Sequence, residues 1–236
     1  MPMLPTPPRF SALLFGLSGC LVDFGARTVP VALQRLYPNA SPQRDLHQLL
    51  GRSPQAHELL AYQHALSEAA DEHAEATPGA LELLAQLRQQ DVPCAWLDEL
   101  PRDASVTLAS ALPDWLPAAP QRSHRPWPAP DAIWHSLIEL QVEQLDGCVL
   151  ISGEPRLLQA GIHAGLWTIG LAICGPLCGQ ALADWHSLAC AQRDQLRSQA
   201  TLSLYRLGVH SVIDQLSDLP ACLTELAQRR QKGEKP

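Results

Sequence analysis

Lysine is almost missing from this sequence, and the two lysines present are poorly placed for chemistry. The chain has 236 residues, and its lysines are Lys232 and Lys235, both in the C-terminal tail. A mechanism in which a lysine amine bonds covalently to a carbonyl substrate needs that amine at the reacting centre. The body of the chain therefore offers no lysine for such a mechanism.

Long apolar runs and long basic runs are also missing. No apolar stretch approaches the ~20 residues that a membrane-spanning helix needs. The start, MPMLPTPPRF, lacks the charged-then-apolar order of a secretory signal. The most basic segment is only Arg229-Arg230-Gln231-Lys232, and the formal net charge is −7. These features predict no membrane span and no nucleic-acid partner.

Cysteine is sparse, and its number is odd. Seven cysteines in 236 residues suit reduced thiols rather than a disulfide framework, which predicts a cytoplasmic protein. With 46% hydrophobic and 17% charged residues, the chain has the composition of a globular protein. Its length fits one medium domain, or one domain that carries a smaller insert.

Short apolar runs alternate with helical patterns along most of the chain. Continuous apolar runs, rather than alternating ones, are typical of a parallel sheet covered on both faces. Buried strands are predicted at 10–17, 92–97, 147–152 and 166–173. Helices are predicted at 77–88 (capped by Thr77, with Pro78 in the first turn), 103–112, 131–140, 157–164, and from 174 to the polar tail. The fold class predicted is a three-layer α/β sandwich.

One stretch does not follow this alternation. Residues 29–76 have helical spacing, interrupted by Pro38, Pro42 and Pro54, and no strand pattern. We therefore expect a small helical cap inserted after the first strand. The domain boundaries predicted are an α/β core at 1–25 and 77–228, a cap at 26–76, and a polar tail at 229–236.

Four segments resemble the sequence motifs of the haloacid dehalogenase (HAD) superfamily, with the closest similarity to its phosphonoacetaldehyde hydrolase branch. The order and spacing of the four segments, and the helical insert after the first, match over roughly residues 10–225. The four segments are FGLSGCLVDFG (15–25), TPGALELLAQLRQQDVPCAWLDELPR (77–102), HRPWPAPD (124–131) and CVLISGEPRLLQAGIHAGLWTIG (148–170). The resemblance implies a HAD-like, Rossmannoid core with a helical cap.

The chemistry that the resemblance implies is carried over position by position. The aspartate nucleophile of the family corresponds to Gly16, and the residue two positions later, Ser18, occupies the place of a helper group. The phosphate-binding hydroxyl of the second motif corresponds to Asp98, whose charge would repel phosphate. The cation of the third motif is retained as Arg125, which is the predicted phosphate-binding residue.

The fourth motif of the family usually presents acidic ligands for Mg²⁺. An ungapped match places Gly153 and Leu157 at the two acidic positions, and a one-residue shift places Glu154 and Leu158 there. Either match leaves at least one position without an acid. Mg²⁺ would therefore depend on a partial site.

The phosphonoacetaldehyde hydrolase branch also forms a Schiff base through a lysine in the cap. Leu50-Gly51 fits the turn that precedes that lysine, but the lysine position falls near Pro54. The Schiff-base residue is therefore absent.

Asp98 and Arg125 are expected to meet at the carboxyl edge of the sheet, where doubly wound folds bind ligands. One interpretation is an ion pair that fills the former phosphate site. The alternative is a rebuilt Mg²⁺ site that uses Asp98 and Glu154, with Asp23 as a further candidate. Asp23 otherwise suits a helix-capping role, and Ser18 suits a turn.

The cysteines offer two further alternatives. Cys20, in the turn after the first strand, is either a relocated nucleophile or an inert buried thiol. Cys174 and Cys178 have a spacing that zinc can use, but only His186 and Cys190 are available to complete the site.

Two functions remain open at this stage. The first is a pseudoenzyme that has lost phosphoryl or phosphonate hydrolysis and acts in binding or regulation. The second is an active hydrolase of a small phosphate or phosphonate, with a rearranged Mg²⁺-dependent site. The partner is a small phosphorylated molecule or a protein, and the family resemblance implies a homodimer formed through the cap.

Overall fold

A five-stranded parallel sheet lies at the centre of the computed structural model, which describes residues 10–40, 45–120 and 125–236. Its strands are β1 (Ala12–Gly16), β2 (Cys94–Leu97), β3 (Cys148–Ser152), β4 (Trp167–Leu171) and β5 (Ser211–Ile213). The spatial order is β2-β1-β3-β4-β5, and every neighbouring pair is parallel. The α/β class predicted from the apolar runs is confirmed.

Helices connect the strands and cover both faces of the sheet. In chain order they are α1 (Thr28–Leu36), α2 (Leu46–Leu50), α3 (Ala56–Glu72), α4 (Ala80–Gln89), α5 (Arg102–Ala109), α6 (Asp131–Glu139), α7 (Pro155–His163), α8 (Leu182–Ser187), α9 (Cys190–Arg206) and α10 (Leu219–Gln231). No helix in the described ranges is both long and apolar enough to cross a membrane.

The side chains of β1 show how the three layers form. Successive residues of a strand point to opposite faces. Leu13 and Phe15 accordingly enter a large core on one face, whereas Ala12 and Leu14 pack on the other face against residues of α6 and α7. All five residues of β1 are buried, as expected for a central strand covered on both sides.

Three helices, α1 to α3, occupy the segment that was predicted as a cap. α2 begins at Asp45, whose carboxylate accepts a hydrogen bond from the backbone N–H of His47 (2.6 Å). On its buried side, α3 contributes Leu66 and Ala69 to the same core as Leu84 of α4. The cap therefore packs directly on the sheet domain. Pro42, one of the expected helix breakers, lies outside the described residues.

Three local predictions were wrong. The segment after residue 173 is not wholly helical, because residues 211–213 form β5. α10 continues to Gln231, so the predicted tail at 229–236 begins as helix, and the buried side chain of Arg230 forms an ion pair with Asp146 (2.8 Å). Thr77 does not cap α4: its hydroxyl donates instead to the carbonyls of Cys20 and Leu21, and Gly79 precedes the helix.

Candidate functional site

Position 16, at the carboxyl end of β1, is closed by its neighbours. A Cβ atom there would lie 2.6 Å from Oγ of Ser152 and 3.4 Å from Cδ2 of Leu157. Ser152 and Leu157 are fully buried, and the Ser152 Oγ accepts a hydrogen bond from the backbone N–H of Glu154 (3.0 Å). A side chain at the place where the family carries its nucleophile would therefore have to displace the Ser152 hydroxyl.

The loops next to this position pack backbone against backbone. A Cβ atom on Gly153 would lie 2.4 Å from Cα of Gly175 and 2.5 Å from the carbonyl oxygen of Gly19. Real side chains do not approach that closely, so the loops after β1, β3 and β4 fit together only with glycine here. Gly153 is the first acidic position in the ungapped match to the family.

Asp23 organises the turn after β1. Its carboxylate accepts hydrogen bonds from the Ser18 hydroxyl (2.8 Å) and from the backbone N–H groups of Arg27 (2.7 Å) and Thr28 (3.1 Å). These amides begin α1, where the helix dipole also favours a negative group. The structure thus places Asp23 in the helix-capping role and Ser18 in a turn, as the residues suggested.

Asp98 follows β2 and stands on the wall of the cleft. Its carboxylate accepts hydrogen bonds from the backbone N–H groups of Glu99 (2.8 Å) and Leu100 (3.3 Å) and from the Ser105 hydroxyl (3.3 Å). Burial raises the pKa of Asp98 to about 7, despite these donors, and the nearby charge of Asp23 adds to the effect. Asp98 is therefore a carboxyl group that titrates near neutral pH.

Arg125 does not meet Asp98, so the expected ion pair is wrong. Its Nε and Nη2 atoms lie 2.8 Å from the two carboxylate oxygens of Asp131, and its side chain is 74% exposed. A partner six residues away, at the start of α6, allows this bidentate geometry locally. His124, the other polar residue of the third motif, lies outside the described residues.

A different arginine joins the second, third and fourth motif regions. Arg156, in the first turn of α7, has its Nη1 atom 3.1 Å from Oε2 of Glu99, and its Nη2 donates to the carbonyl of Trp127. Glu99 also accepts a hydrogen bond from the backbone N–H of Trp127 (2.5 Å). The sequence did not predict this clamp of Glu99, Trp127 and Arg156, because its members are separated by 28 residues or more.

Mg²⁺ is the metal that the family resemblance implies, but the residues present do not fit it. Gly16, Gly153 and Leu157 bring no oxygen ligand from their side chains to the family positions. Glu154 accepts a hydrogen bond from the backbone N–H of Arg156 (3.2 Å) and caps α7. Among the described residues, no three His, Cys, Asp or Glu side chains gather into a group that could hold a metal. Asp98 and Glu154 share only the wall of a cavity.

The buried cysteines considered as functional groups are poorly placed for chemistry. All seven are free thiols, and each lies within the described ranges. Burial raises the pKa of Cys20 well above its ordinary value, and that of Cys174 to about 12. A thiol that stays protonated is a poor nucleophile. The zinc site considered for Cys174 and Cys178 does not assemble from the described residues either.

A cavity of about 1020 Å³ lies between the cap and the sheet domain. The four sequence-predicted positions Gly16, Ser18, Asp98 and Glu154 line it, together with residues from the cap. Burial raises the pKa of one of these, Tyr62, to about 12, so its phenol stays neutral. Arg125 lines only a neighbouring cavity of about 740 Å³, which Asp98 and Arg156 also line.

Comparison with known proteins agrees with this fold and cleft. No family model matches the chain. Phosphonoacetaldehyde hydrolase of Bordetella pertussis is 28% identical over 277 aligned residues, which cover 100% of this chain and 99% of that protein. The phosphonoacetaldehyde hydrolase of Vibrio cholerae is 29% identical over 171 residues, which cover 70% of this chain and 63% of that protein.

Solved structures share the fold. One protein of known structure is 51% identical, over 96% of this chain and 100% of its own, with a TM-score of 0.77. A phosphonoacetaldehyde hydrolase-like protein from Oleispira antarctica has a TM-score of 0.82 at 20% identity, over 99% of this chain and 100% of its own. A HAD family hydrolase from Deinococcus radiodurans, solved with bound phosphate and sodium, has a TM-score of 0.61 at 22% identity, over 93% and 97%.

The sheet order, the cap and these relatives together define the class: the chain belongs to the HAD superfamily. Within that superfamily it is a member of the phosphonoacetaldehyde hydrolase-like branch.

Proposed function

We propose that this protein no longer carries out the phosphoryl or phosphonate hydrolysis of its family and that it acts as a binding or regulatory pseudoenzyme. Glycine at position 16 carries the proposal, since covalent catalysis needs a nucleophile within reach of its target and glycine has no side chain to supply one. The missing cap lysine and the apolar residue at a metal-ligand position support it.

Ligand binding is the remaining task that the cleft suits. The cavity between cap and core is lined by carboxylates, a guanidinium and aromatic side chains, and Gly16 leaves its wall without a nucleophile. Concave sites with a few converging polar groups are typical of small-molecule binding. The cytoplasm is the compartment that we assign in the same proposal, and seven free thiols support it.

The test is a phosphate-release assay on the full chain with Mg²⁺, using phosphonoacetaldehyde and a panel of phosphate monoesters. We expect the native chain to release phosphate no faster than a protein-free sample. Gly16→Asp restores a carboxylate, and Gly16→Asn is its matched control, because it has the same shape without the nucleophile. If Gly16→Asp does not fold, Gly16→Asp combined with Ser152→Ala relieves the contact at 2.6 Å.

The outcomes separate the two functions. Release by the native chain would overturn the proposal and support a hydrolase with a rearranged site, in which Asp98 and Glu154 are the first residues to replace. Release by Gly16→Asp but not by Gly16→Asn would support the proposal and locate the loss at one position. No release from any form would support a loss that extends to the other motif positions.

A further inference from the structure

The cleft continues into a second cavity, and the two differ in charge. We call the cavity of about 1020 Å³ the acidic lobe and the cavity of about 740 Å³ the arginine lobe. Eight residues line both lobes, among them Asp98, Glu99, Trp127 and Arg156. The lobes are therefore adjacent, and we take them as two subsites of one cleft.

The acidic lobe favours a positive group. Its described lining carries four carboxylates, from Asp45, Asp98, Glu99 and Glu154, and one guanidinium, from Arg156. That guanidinium is already paired with Glu99. Phosphate alone would meet mostly like charge here, whereas an ammonium group would meet carboxylates.

Asp98 adds a specific reason to expect an ammonium group. Its hydrogen-bond partners are two backbone amides and a serine hydroxyl, and no cation of the described chain pairs with it. Burial raises the pKa of Asp98 to about 7, and a bound cation would stabilise its charged form. The aromatic residues Trp127 and Tyr62 also line this lobe, and aromatic rings suit a cation.

The arginine lobe favours a negative group at its far end. Three arginines from separate elements, Arg102, Arg125 and Arg156, line this lobe, together with three carboxylates that it shares with the acidic lobe. Arg125 is paired with Asp131 and Arg156 with Glu99, which leaves Arg102 as the arginine for an anionic ligand group. Arg102 and Arg125 do not line the acidic lobe, and Glu154 does not line the arginine lobe. Arg102 is exposed and has no ion pair within the part of the chain that the structure describes. Guanidinium groups match the geometry of carboxylates and phosphates.

We infer that the two adjacent lobes together bind a small dipolar molecule, with its ammonium group among the carboxylates of the acidic lobe and its carboxylate or phosphate group at Arg102. This inference rests on the proposed function, because it takes the cleft as a binding site rather than a centre of hydrolysis. It assigns Arg102 as the residue that selects the anionic group. It assigns Asp98 as the residue that selects the ammonium group.

The test is isothermal titration calorimetry of the full chain at pH 8 with matched probes. β-Alanine is compared with propylamine and propionate, and O-phosphoethanolamine with ethylamine and ethyl phosphate. We expect each dipolar probe to bind at least about tenfold more tightly than either of its halves, because both charged contacts then act together. Tighter binding of β-alanine or of O-phosphoethanolamine identifies the anionic group as carboxylate or phosphate.

Two variants locate the ends of the ligand. Arg102→Gln should weaken the dipolar probes by about tenfold and leave the amine probes unchanged, since a charge-assisted hydrogen bond contributes about that much. Asp98→Asn should weaken the amine and dipolar probes and leave propionate unchanged. Arg206→Gln, at the exposed end of α9 and away from both lobes, and Asp114→Asn, in an exposed loop, are the matched controls.

Several results would overturn the inference. These are equal binding of amine and dipolar probes, an Arg206→Gln effect as large as that of Arg102→Gln, or no binding of any probe at up to about 10 mM. The proposed function fails separately: phosphate release from O-phosphoethanolamine by the native chain would end the pseudoenzyme proposal but leave the ligand class standing. Absence of dipolar binding without phosphate release would remove the ligand class alone.

Discussion

Two neighbouring regions at the carboxyl edge of the sheet have opposite characters. Around Gly16 the packing is tight: Ser152 and Leu157 are fully buried, and the loops of Gly153 and Gly175 meet through their backbones. Around Asp98 the wall is charged and faces the cap. The two regions line the same cavity, yet only the second presents charged groups to a ligand.

The difference shows that catalytic chemistry and ligand binding depend on separate parts of this fold. A nucleophile must stand at the end of β1, within bonding distance of its target. A binding cleft needs only a concave wall between cap and core with a few oriented polar groups. One part can therefore become ordinary protein interior while the other persists.

Replacing Leu157 should have the largest effect on stability. Leu157→Ala is expected to lower the free energy of unfolding by about 2–5 kcal/mol, because Leu157 is fully buried in the core formed with β1, β3 and α6. Leu202→Ala, on α9 with a 57% exposed side chain, is the control and should change it by less than about 0.5 kcal/mol. Urea denaturation measures both. Equal effects would contradict the assignment of Leu157 to the core.

A side chain at position 16 should have the next largest effect. Gly16→Ala normally gains a little from reduced unfolded-state entropy. Here the new Cβ would lie 2.6 Å from Oγ of Ser152, so we expect a net loss of about 1–3 kcal/mol. In a Ser152→Ala background the loss should shrink by more than about 1 kcal/mol. A loss of the same size in both backgrounds would contradict this contact.

The regions around Gly16 and around Asp98 should also differ in how their stability depends on pH. The pKa of Asp98 is about 7 in the folded protein, above its ordinary value, so the folded state holds the proton more tightly than the unfolded chain. The free energy of unfolding contributed by Asp98 should therefore fall as pH rises from about 4 to about 7. Asp98→Asn should remove that fall and be more stable at pH 8 by roughly 1–2 kcal/mol.

The control for this pH experiment is Asp114→Asn in an exposed loop. Urea denaturation from pH 4 to pH 8 compares both variants with the native chain. If Asp98→Asn followed the pH dependence of the native chain, as the control should, then the pKa of Asp98 would not be raised in the folded protein.

The sheet and its strand sites were predictable, whereas the partners of charged residues were not. The strands predicted at 10–17, 147–152 and 166–173 are continuous apolar runs, and burial on both faces produces such runs directly. β5 escaped because it is only three residues long and partly exposed, which leaves no apolar run to detect. The local sequence was therefore enough to predict the sheet, except for its edge strand β5.

At the site, the residue types were predictable from the sequence, whereas the contacts between their side chains were not. The absence of a nucleophile at position 16 follows from the residue type alone, because glycine has no side chain. The pairing of Arg125 with Asp131 instead of Asp98 depends on a turn between them, and the clamp of Glu99 and Arg156 depends on loops that meet only in the fold. Such tertiary contacts have no period and no spacing in the sequence.

The backbone contact between Gly153 and Gly175 has a consequence for how this lineage can change. An acidic side chain at position 153 would have to displace two loops before it could bind anything. An aspartate at position 16 would meet a side chain instead, that of Ser152, which a single second replacement can remove. Under the proposed function, a return to hydrolysis would therefore require coordinated replacements at several sites, which makes the change difficult to reverse.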